Sequence, residues 1–258
     1  MIKDKLREAA KSIGIEKIGI TKDENLTVVV ALFPYFVAGE QGNIAMYARA
    51  RDYHKVNSEK LGVLCRLLKE NGANTCKIFV DNAARNDREA ARLAGIGFYG
   101  RNNLLTCDEY GSYFTIGQIV TDLDIESDLP NEQTCKNCGK CEKVCPTGAL
   151  YGKKYDKSLC LSEISQKKSE LSMQEAKLLK SAETIWGCDK CLSICSHNKN
   201  LITTAPIELM QNRIANIDLS NIENINDAEF RKKYAQYAFS WGGVDVLRRN
   251  LMLQNCNN

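Results

Sequence analysis

The chain carries two cysteine-rich runs, CKNCGKCEKVCP at residues 135–146 and GCDKCLSIC at residues 187–195. The first run separates its four cysteines by two, two and three residues, and proline follows the last one. The second run ends with the same spacing of two and three residues, and a lone upstream cysteine supplies its distant first member. Thiolates in this spacing are typical ligands of iron–sulfur clusters. We therefore expect the chain to be organised around eight metal-binding cysteines: Cys135, Cys138, Cys141, Cys145, Cys160, Cys188, Cys191 and Cys195.

The assignment of these cysteines follows from the bacterial ferredoxin pattern, in which the fourth cysteine of a run binds the cluster held by the other run. This crossing rule predicts one [4Fe–4S] cluster on Cys135, Cys138, Cys141 and Cys195. It predicts the second cluster on Cys160, Cys188, Cys191 and Cys145.

Two other uses of the cysteines are weighed against clusters. Zinc sites also contain cysteine pairs with two intervening residues, but zinc requires neither the further cysteines at these spacings nor the proline. Disulfides belong to oxidising compartments. The sequence shows no signal peptide and no apolar run long enough to span a membrane, so we expect a cytoplasmic protein without membrane contact.

The charge of the chain is unevenly distributed along its 258 residues. The net charge is +3, but residues 135–199 hold 12 Lys against 7 acids, which gives +5, whereas residues 61–134 hold 7 Lys or Arg against 11 acids, which gives −4. Lysines in the cluster segment can balance anionic clusters on a solvated surface, and contact with nucleic acid is the alternative explanation.

The residues before the cysteines predict an α/β layer domain over 1–128, because helical and strand patterns alternate along them. Helices are predicted over 2–13, over 43–71 with a permitted break near Asn57, and over 87–94. Strands are predicted over 17–21, 27–33, 76–81 and 112–121. The strand at 27–33 contains an uninterrupted apolar run, which is typical of a strand buried on both faces.

The rest of the chain completes a predicted α+β fold. Residues 129–200 are expected to form a ferredoxin-like double-cluster domain. Residues 201–258 are expected to form a C-terminal helical segment packed on the core, with helices over 207–214, 227–239 and 244–253.

The glycines of AGIGFYGRNN at residues 94–103 need a separate explanation. They do not match a dinucleotide fingerprint, because they follow a predicted helix and precede a predicted strand. Close approach of the backbone to a large flat ligand and a simple tight turn both account for them.

Several segments together resemble the epoxyqueuosine reductases, the cobalamin and double-cluster enzymes of queuosine synthesis. The resemblance rests on ARARDYHKV at 48–56, VDNAARNDREAARLAGIGFYGRNNLL at 80–105, GSYFTIGQIVTDL at 111–123, the cluster runs, and GGVDVLRRN at 242–250. The cysteine runs alone are common to many ferredoxin-like proteins. Their combination with the other segments makes the resemblance specific.

The resemblance implies that the α/β domain binds cobalamin and that Asp81 donates a proton during reduction of an epoxide to an alkene. A carboxylic acid shielded from water keeps its proton near neutral pH, which suits this role. The alternative is a purely structural role, in which Asp81 caps the loop after its strand. Asp87 is expected to cap the next helix, with Arg88 in a salt bridge.

The resemblance also implies further contacts with the cofactor. Tyr53 and His54 match a segment that lines the corrin or substrate pocket, and axial ligation of cobalt by His54 is the less favoured alternative. Four further residues without reactive side chains fall in segments that, by the resemblance, pack around the corrin. Ordinary core packing explains these residues equally well: Ala45, Leu105, Ile116 and Ser162.

The implied partners are tRNA or a smaller nucleoside-type substrate and an external low-potential electron donor, with the protein acting as a monomer. The chain departs from the family pattern at several places. Residues 81–88 lack a usual proline and apolar pair, Gln118 stands where an acid is usual, and Ser196 and His197 replace proline and tryptophan. The C-terminal helical repeat domain of relatives is not expected.

Two other functions remain open at this point. One is a two-cluster electron-transfer protein without cobalamin chemistry. The other is a cobalamin reductase for a different small substrate, such as an organohalide. Four cysteines lie outside the cluster pattern, and we expect inert buried thiols at the first three and a disordered tail at the last: Cys65, Cys76, Cys107 and Cys256.

Overall fold

Four antiparallel strands form the central sheet of the first of two compact units. The structure is a computed structural model that describes residues 1–83 and 85–255. The first unit comprises Met1–Tyr35 and Tyr53–Asn137, and the second comprises Phe36–Asp52 and the chain from Cys138 onward. The predicted boundaries after residues 128 and 200 do not coincide with this division. From Cys138 onward, the cluster segment and the C-terminal helices share one unit.

The first unit alternates helices and strands in the predicted order, and the predicted α+β class is confirmed. Its elements are α1 (Ile2–Ser12), β1 (Lys17–Asp23), β2 (Leu26–Pro34), α2 (Tyr53–Glu70), β3 (Cys76–Val80), α3 (Asp87–Leu93), β4 (Phe98–Tyr99), β5 (Leu105–Thr106) and β6 (Phe114–Thr121). The sheet order is β1-β2-β6-β3, and β4 pairs with β5 in a separate hairpin.

Helices cover the sheet on both faces. Helix α2 packs on β3 and β6, whereas α3 packs on β1, β2 and β6. The run from Val28 to Leu32 in β2 is fully buried, so the prediction of a strand buried on both faces is confirmed. An apolar run without alternation forms such a strand because neither face meets water.

The predicted helix over 43–71 is wrong at its start, and the break that the prediction allowed near Asn57 is absent. Helix α2 begins at Tyr53, and within residues 43–52 the only helical element is a short 3₁₀ turn, Met46–Ala48. Residues 43–46 bond instead within the second unit, where Ala45 N donates to Trp186 O at 2.8 Å and Met46 N to the Asp189 carboxylate at 2.7 Å. Helix α2 continues through Asn57, whose Nδ2 donates to Thr115 Oγ1 at 2.8 Å.

Two cysteines outside the cluster pattern are joined. Cys65 of α2 and Cys76 of β3 form a disulfide with their Cα atoms 5.9 Å apart, so the expectation of free thiols is wrong for this pair. The packing of α2 on β3 brings the two Cα atoms within bonding range. Cys107 is a free buried thiol, as expected. Cys256 lies outside the described residues.

The second unit contains short helices and one hairpin. Its elements are α4 (Lys140–Val144), β7 (Leu150–Tyr151), β8 (Lys154–Tyr155), α5 (Leu161–Gln166), α6 (Met173–Lys180), α7 (Lys190–Ser193), α8 (Ile207–Met210), α9 (Asp227–Tyr234) and α10 (Val244–Asn255). The predicted helices over 207–214 and 227–239 are too long. After α9 the chain turns through a 3₁₀ segment, Ala238–Gly242.

A buried asparagine of helix α10 forms hydrogen bonds with the core of the second unit. Asn250 Nδ2 donates to Ser165 O at 2.7 Å and to Ile185 O at 2.8 Å. Leu253 packs on the apolar cluster of Leu161, Ile164 and Leu179. Among the described residues, no helix combines the length and the apolar character that crossing a membrane requires.

Candidate functional site

Asp81 lies immediately after β3, in a backbone conformation that few side chains adopt. Its φ is +60°, in the left-handed region, where aspartate is tolerated better than bulkier residues. Such a conformation costs about 1–3 kcal/mol and persists where surrounding contacts hold it. The carboxyl of Asp81 is 46% exposed, so it is open to a ligand.

Two aromatic side chains at the start of α2 converge on the Asp81 carboxyl. Tyr53 Oη donates to Asp81 Oδ2, and His54 Nε2 lies 3.7 Å from the same oxygen. The two rings are stacked with their centroids 4.1 Å apart. Tyr53 is buried and His54 is partly exposed. The structure therefore joins three predicted site residues at the Asp81 carboxyl.

A second carboxyl belongs to the same neighbourhood. Burial, followed by the negative charge of Asp81, raises the pKa of Asp87 to about 6. Gln118 Nε2 donates to Asp87 Oδ1. The expectation that Asp87 caps α3 is wrong, because Asn86 is the cap and its side chain accepts from Arg88 N and Glu89 N. The guanidinium of Arg88 donates to Asn103 O. In the sequence, the only sign of this contact was that Gln118 stands where an acid is usual.

Two of the other predicted cofactor residues belong to the first unit and two to the second. Leu105 and Ile116 are buried in the apolar cluster between α3 and the sheet. In the second unit, Ala45 is buried and bonded to Trp186, while Ser162 in α5 accepts from Gln166 Nε2 through both its carbonyl and its hydroxyl. Their contact with a cofactor stays a prediction.

The glycine turn is explained by its own packing. A Cβ on Gly97 would lie 2.7 Å from Leu105, and one on Gly100 would lie 2.4 Å from Asn102 Oδ1. The packing of the hairpin of β4 and β5 therefore accounts for these glycines, and no ligand is needed to explain them. Asn102 Nδ2 is buried and has no acceptor among the described residues, so a ligand acceptor here would satisfy it.

The cluster cysteines of the second unit meet where two short helices pack. Helix α4 carries Cys141 and α7 carries Cys191, and the helices contact each other. Burial raises the pKa of Cys188 to about 11, with further contributions from the neighbouring Cys160 and Cys145. Cys191 is raised likewise by burial and then by the nearby Cys188 and Cys160 thiols, so its pKa also lies above the ordinary range.

These neighbouring cysteines are the ones assigned to the second cluster, Cys160, Cys188, Cys191 and Cys145, and that assignment stays a prediction. These partly buried sulfur ligands suit an iron–sulfur cluster, whose positive irons favour the thiolate form. Among the described residues no three His, Cys, Asp or Glu side chains are gathered tightly enough for a single metal ion. The thiolates of a cubane each bind a different iron and so stand further apart.

Cys135, Cys138, Cys141 and Cys195 are the predicted ligands of the first cluster. Cys135 belongs to the first unit and the other three to the second. Cys138 is exposed, and its pKa is lowered chiefly by the backbone hydrogen bond from Lys140. This shared ligand set stays a prediction.

Comparison with known proteins agrees with both parts of the chain. Residues 134–198 match the model of the 4Fe-4S double cluster binding domain, which favours clusters over zinc. Residues 21–82, which include Tyr53, His54 and Asp81, match the model described as epoxyqueuosine reductase QueG, DUF1730.

Individual relatives extend these matches. The epoxyqueuosine reductase of Lactococcus garvieae is 33% identical over 223 residues, which cover 84% of this chain and 63% of that relative. The chain thus spans less than two thirds of the length of this relative.

For each of two solved structures, the matched region covers 98% of this chain and 80% of the solved chain. One is epoxyqueuosine reductase with an epoxyqueuosine-modified tRNA-Tyr stem loop, at 27% identity and a TM-score of 0.84. The other is the Bacillus subtilis enzyme with its catalytic aspartate loop swung out of the active site, at 26% identity and a TM-score of 0.81. The chain resembles the epoxyqueuosine reductase family in sequence and in fold.

Proposed function

We propose that this chain is an oxidoreductase that removes the epoxide oxygen of epoxyqueuosine in tRNA and leaves the alkene of queuosine. The observation that carries the proposal is the convergence of Tyr53 and His54 on the carboxyl of Asp81. A positioned acid of this kind can protonate a departing oxygen. A solved relative holds an epoxyqueuosine-modified stem loop, and another has a catalytic loop that bears an aspartate.

Tyr53 and His54 are assigned to orientation and charge. The Tyr53 hydroxyl bonds one carboxyl oxygen of Asp81, which leaves the other oxygen to carry and deliver the proton. His54 stands 3.7 Å from the bonded oxygen and can stabilise the carboxylate once the proton has left. The left-handed backbone at Asp81 turns the side chain out of the strand direction.

The reductive half of the reaction requires cofactors. Cobalamin, when bound, supplies electrons from cobalt at low potential, and the two [4Fe–4S] clusters supply single electrons from an external donor. In the first unit, Tyr53, His54 and the unsatisfied amide of Asn102 are the side chains that we assign to holding the cobalamin. Ala45, Leu105, Ile116 and Ser162 remain predicted contacts.

Anaerobic reconstitution tests the proposal. The chain, loaded with iron, sulfide and cobalamin, is mixed with a chemical reductant and a stem loop that carries epoxyqueuosine. We expect a changed visible spectrum of the bound cobalamin and a product lighter by one oxygen atom in mass spectrometry. Intact clusters without cobalamin uptake or product would contradict the proposal and favour the electron-transfer alternative. Product formed without cobalamin would show that the reaction does not require this cofactor.

A further inference from the structure

A buried amide in the apolar layer between the sheet and α3 is the starting point. Gln118 of β6 is fully buried. It pairs with Val30 in the sheet, and Val30 belongs to the apolar cluster that includes Ala90 and Ala91 of α3. Gln118 therefore faces α3. A polar group in such a layer is costly unless it is hydrogen-bonded.

Gln118 is bonded to one group in particular. Its Nε2 donates to the Asp87 carboxyl, and its Oε1 has no partner among the described residues. Asp87 is not engaged in capping, since Asn86 performs that task for α3. The amide thus has one described contact, and that contact fixes a carboxyl that the local helix does not need.

The charges around Asp87 come from α3 and from the loop that precedes it. Asp81, after β3, raises the pKa of Asp87 in addition to the effect of burial, which is larger. Arg88 of α3 and Arg85 of the preceding loop act in the opposite direction. Their guanidinium groups are engaged elsewhere, because Arg88 donates to Asn103 O and Arg85 Nε donates to Asp23 at 2.8 Å. Gln118 of β6 supplies the direct hydrogen bond.

We propose that Asp87, held in place by Gln118, is a positioning residue that returns a proton to Asp81 during the reaction. This inference rests on the proposed function. Conversion of an epoxide to an alkene and water consumes two electrons and two protons. Asp81 can give one proton to the departing oxygen, and Asp87 then gives its proton to the Asp81 carboxylate for the second transfer. Water re-protonates Asp87, and the electrons come from the external donor through the clusters.

The two acids differ in exposure and in hydrogen bonding. Asp81 is open to a ligand, whereas Asp87 is more enclosed and bonded to a buried amide. An acid whose pKa is near 6 holds its proton in part of the molecules close to neutral pH and can also release it. Its carboxyl therefore matches a proton carrier better than a fixed counter-charge.

The test compares cluster- and cobalamin-loaded Asp87→Asn with the unaltered chain between pH 5 and pH 8. The unaltered chain should lose turnover as the pH rises through about 6, because Asp87 loses its proton. Asp87→Asn should lower kcat by about 10- to 100-fold at pH 6, leave KM unchanged and remove this pH dependence. Glu89→Gln, on the exposed side of the same helix, is the matched control and should keep the unaltered profile.

A second measurement does not depend on turnover. Infrared difference titration should show a protonated carboxyl band that disappears with a midpoint near pH 6 and is missing in Asp87→Asn. Gln118→Met removes the donor to the carboxylate, so the midpoint should move to higher pH while the protein stays folded.

The outcomes separate this inference from the proposed function. An active unaltered chain together with an Asp87→Asn variant of the same kcat and pH profile would overturn the proton-return role alone. Absence of the band from the unaltered chain would do the same. An unaltered chain that makes no product in the loaded form would overturn both proposals. Iron content and circular dichroism of each variant show whether it has folded.

Discussion

At the scale of single residues, the Tyr53 hydroxyl is the contact that fixes the Asp81 carboxyl in its strained position. Tyr53 stands at the first position of α2, so its backbone is held by the helix while its side chain reaches the end of β3. A hydrogen bond contributes about 0.5–1.5 kcal/mol. This offsets part of the cost of the backbone conformation of Asp81, which is about 1–3 kcal/mol.

Tyr53→Phe should therefore lower turnover by about 10-fold or more, because the carboxyl of Asp81 is no longer held in one orientation. The measurement is kcat of the loaded protein on the epoxyqueuosine stem loop. Cobalamin and iron content should stay at the unaltered level. Tyr151→Phe, at an exposed position in the second unit, is the control. A Tyr53→Phe variant of full activity would show that the bond does not serve the reaction.

The sequence predicted part of this site and missed another part for a physical reason. Tyr53, His54 and Asp81 could be selected because they fall in segments that resemble a known family. The bond between Gln118 and Asp87 joins residues 31 positions apart. It depends on which face of β6 meets α3, and the sequence of a strand that is buried on both faces does not reveal which face packs on that helix.

At the scale of elements, the contact between α2 and β6 depends on a glycine. A Cβ on Gly117 would lie 2.7 Å from Leu61 Cδ1 and 3.0 Å from Phe33 Cε2, both in buried side chains. The absence of a side chain at Gly117 therefore allows α2 to lie close to the sheet. This packing also sets the distance from the start of α2 to the end of β3, where the site lies.

Gly117→Ala should destabilise the protein by about 1–3 kcal/mol, because Leu61 and Phe33 must shift from their packed positions. Gly62→Ala is the matched control in the middle of α2, where the nearest atom to the added Cβ is 3.9 Å away. It should stabilise the helix by about 0.5–1 kcal/mol. Urea unfolding of both cluster-loaded variants measures the difference. Equal midpoints for the two variants would contradict this account of the contact.

The elements themselves were largely predictable, with one informative failure. Apolar runs and helical spacing placed β1, β2, β3 and α3 to within about two residues, because local patterns decide these elements. Residues 43–52 carry a helical pattern and yet form an extended segment with one 3₁₀ turn. Their backbone groups bond to distant residues such as Trp186 and Asp189, and local periodicity contains no information about such bonds.

At the scale of the whole molecule, the cysteines are divided by their surroundings into ligands and an inert thiol. Cys188 lies beside other cysteines at the junction of α4 and α7. Cys107 is isolated in the apolar cluster next to α3, and burial raises the pKa of its thiol to about 11. A buried thiol of this kind stays protonated and unreactive at neutral pH.

Cys188→Ala should therefore reduce the iron content of the reconstituted protein to about half, since one of the two cubanes loses a ligand. Cys107→Ala should leave the iron content unchanged. Iron and sulfide analysis, together with electron paramagnetic resonance of the reduced protein, checks both variants. Full iron content in Cys188→Ala would contradict the ligand set that the spacing predicts.

The spacing of the cysteines was sufficient to predict the clusters, because metal coordination ties residue type and spacing closely together. The division of the chain into units was not predictable in the same way. Residues 36–52 belong to the second unit although they precede most of the first. Such an exchange depends on non-local hydrogen bonds, of which composition and periodicity give no sign.

The central claim is that Asp81 delivers a proton to the departing oxygen. The most direct test is the rate of a single turnover by Asp81→Asn loaded with both clusters and cobalamin, on the epoxyqueuosine stem loop. Asparagine keeps the size of the side chain but cannot donate the proton. We predict unchanged cofactor spectra and a rate reduced by about 100-fold or more. An Asp81→Asn variant that forms queuosine at the unaltered rate would contradict the claim.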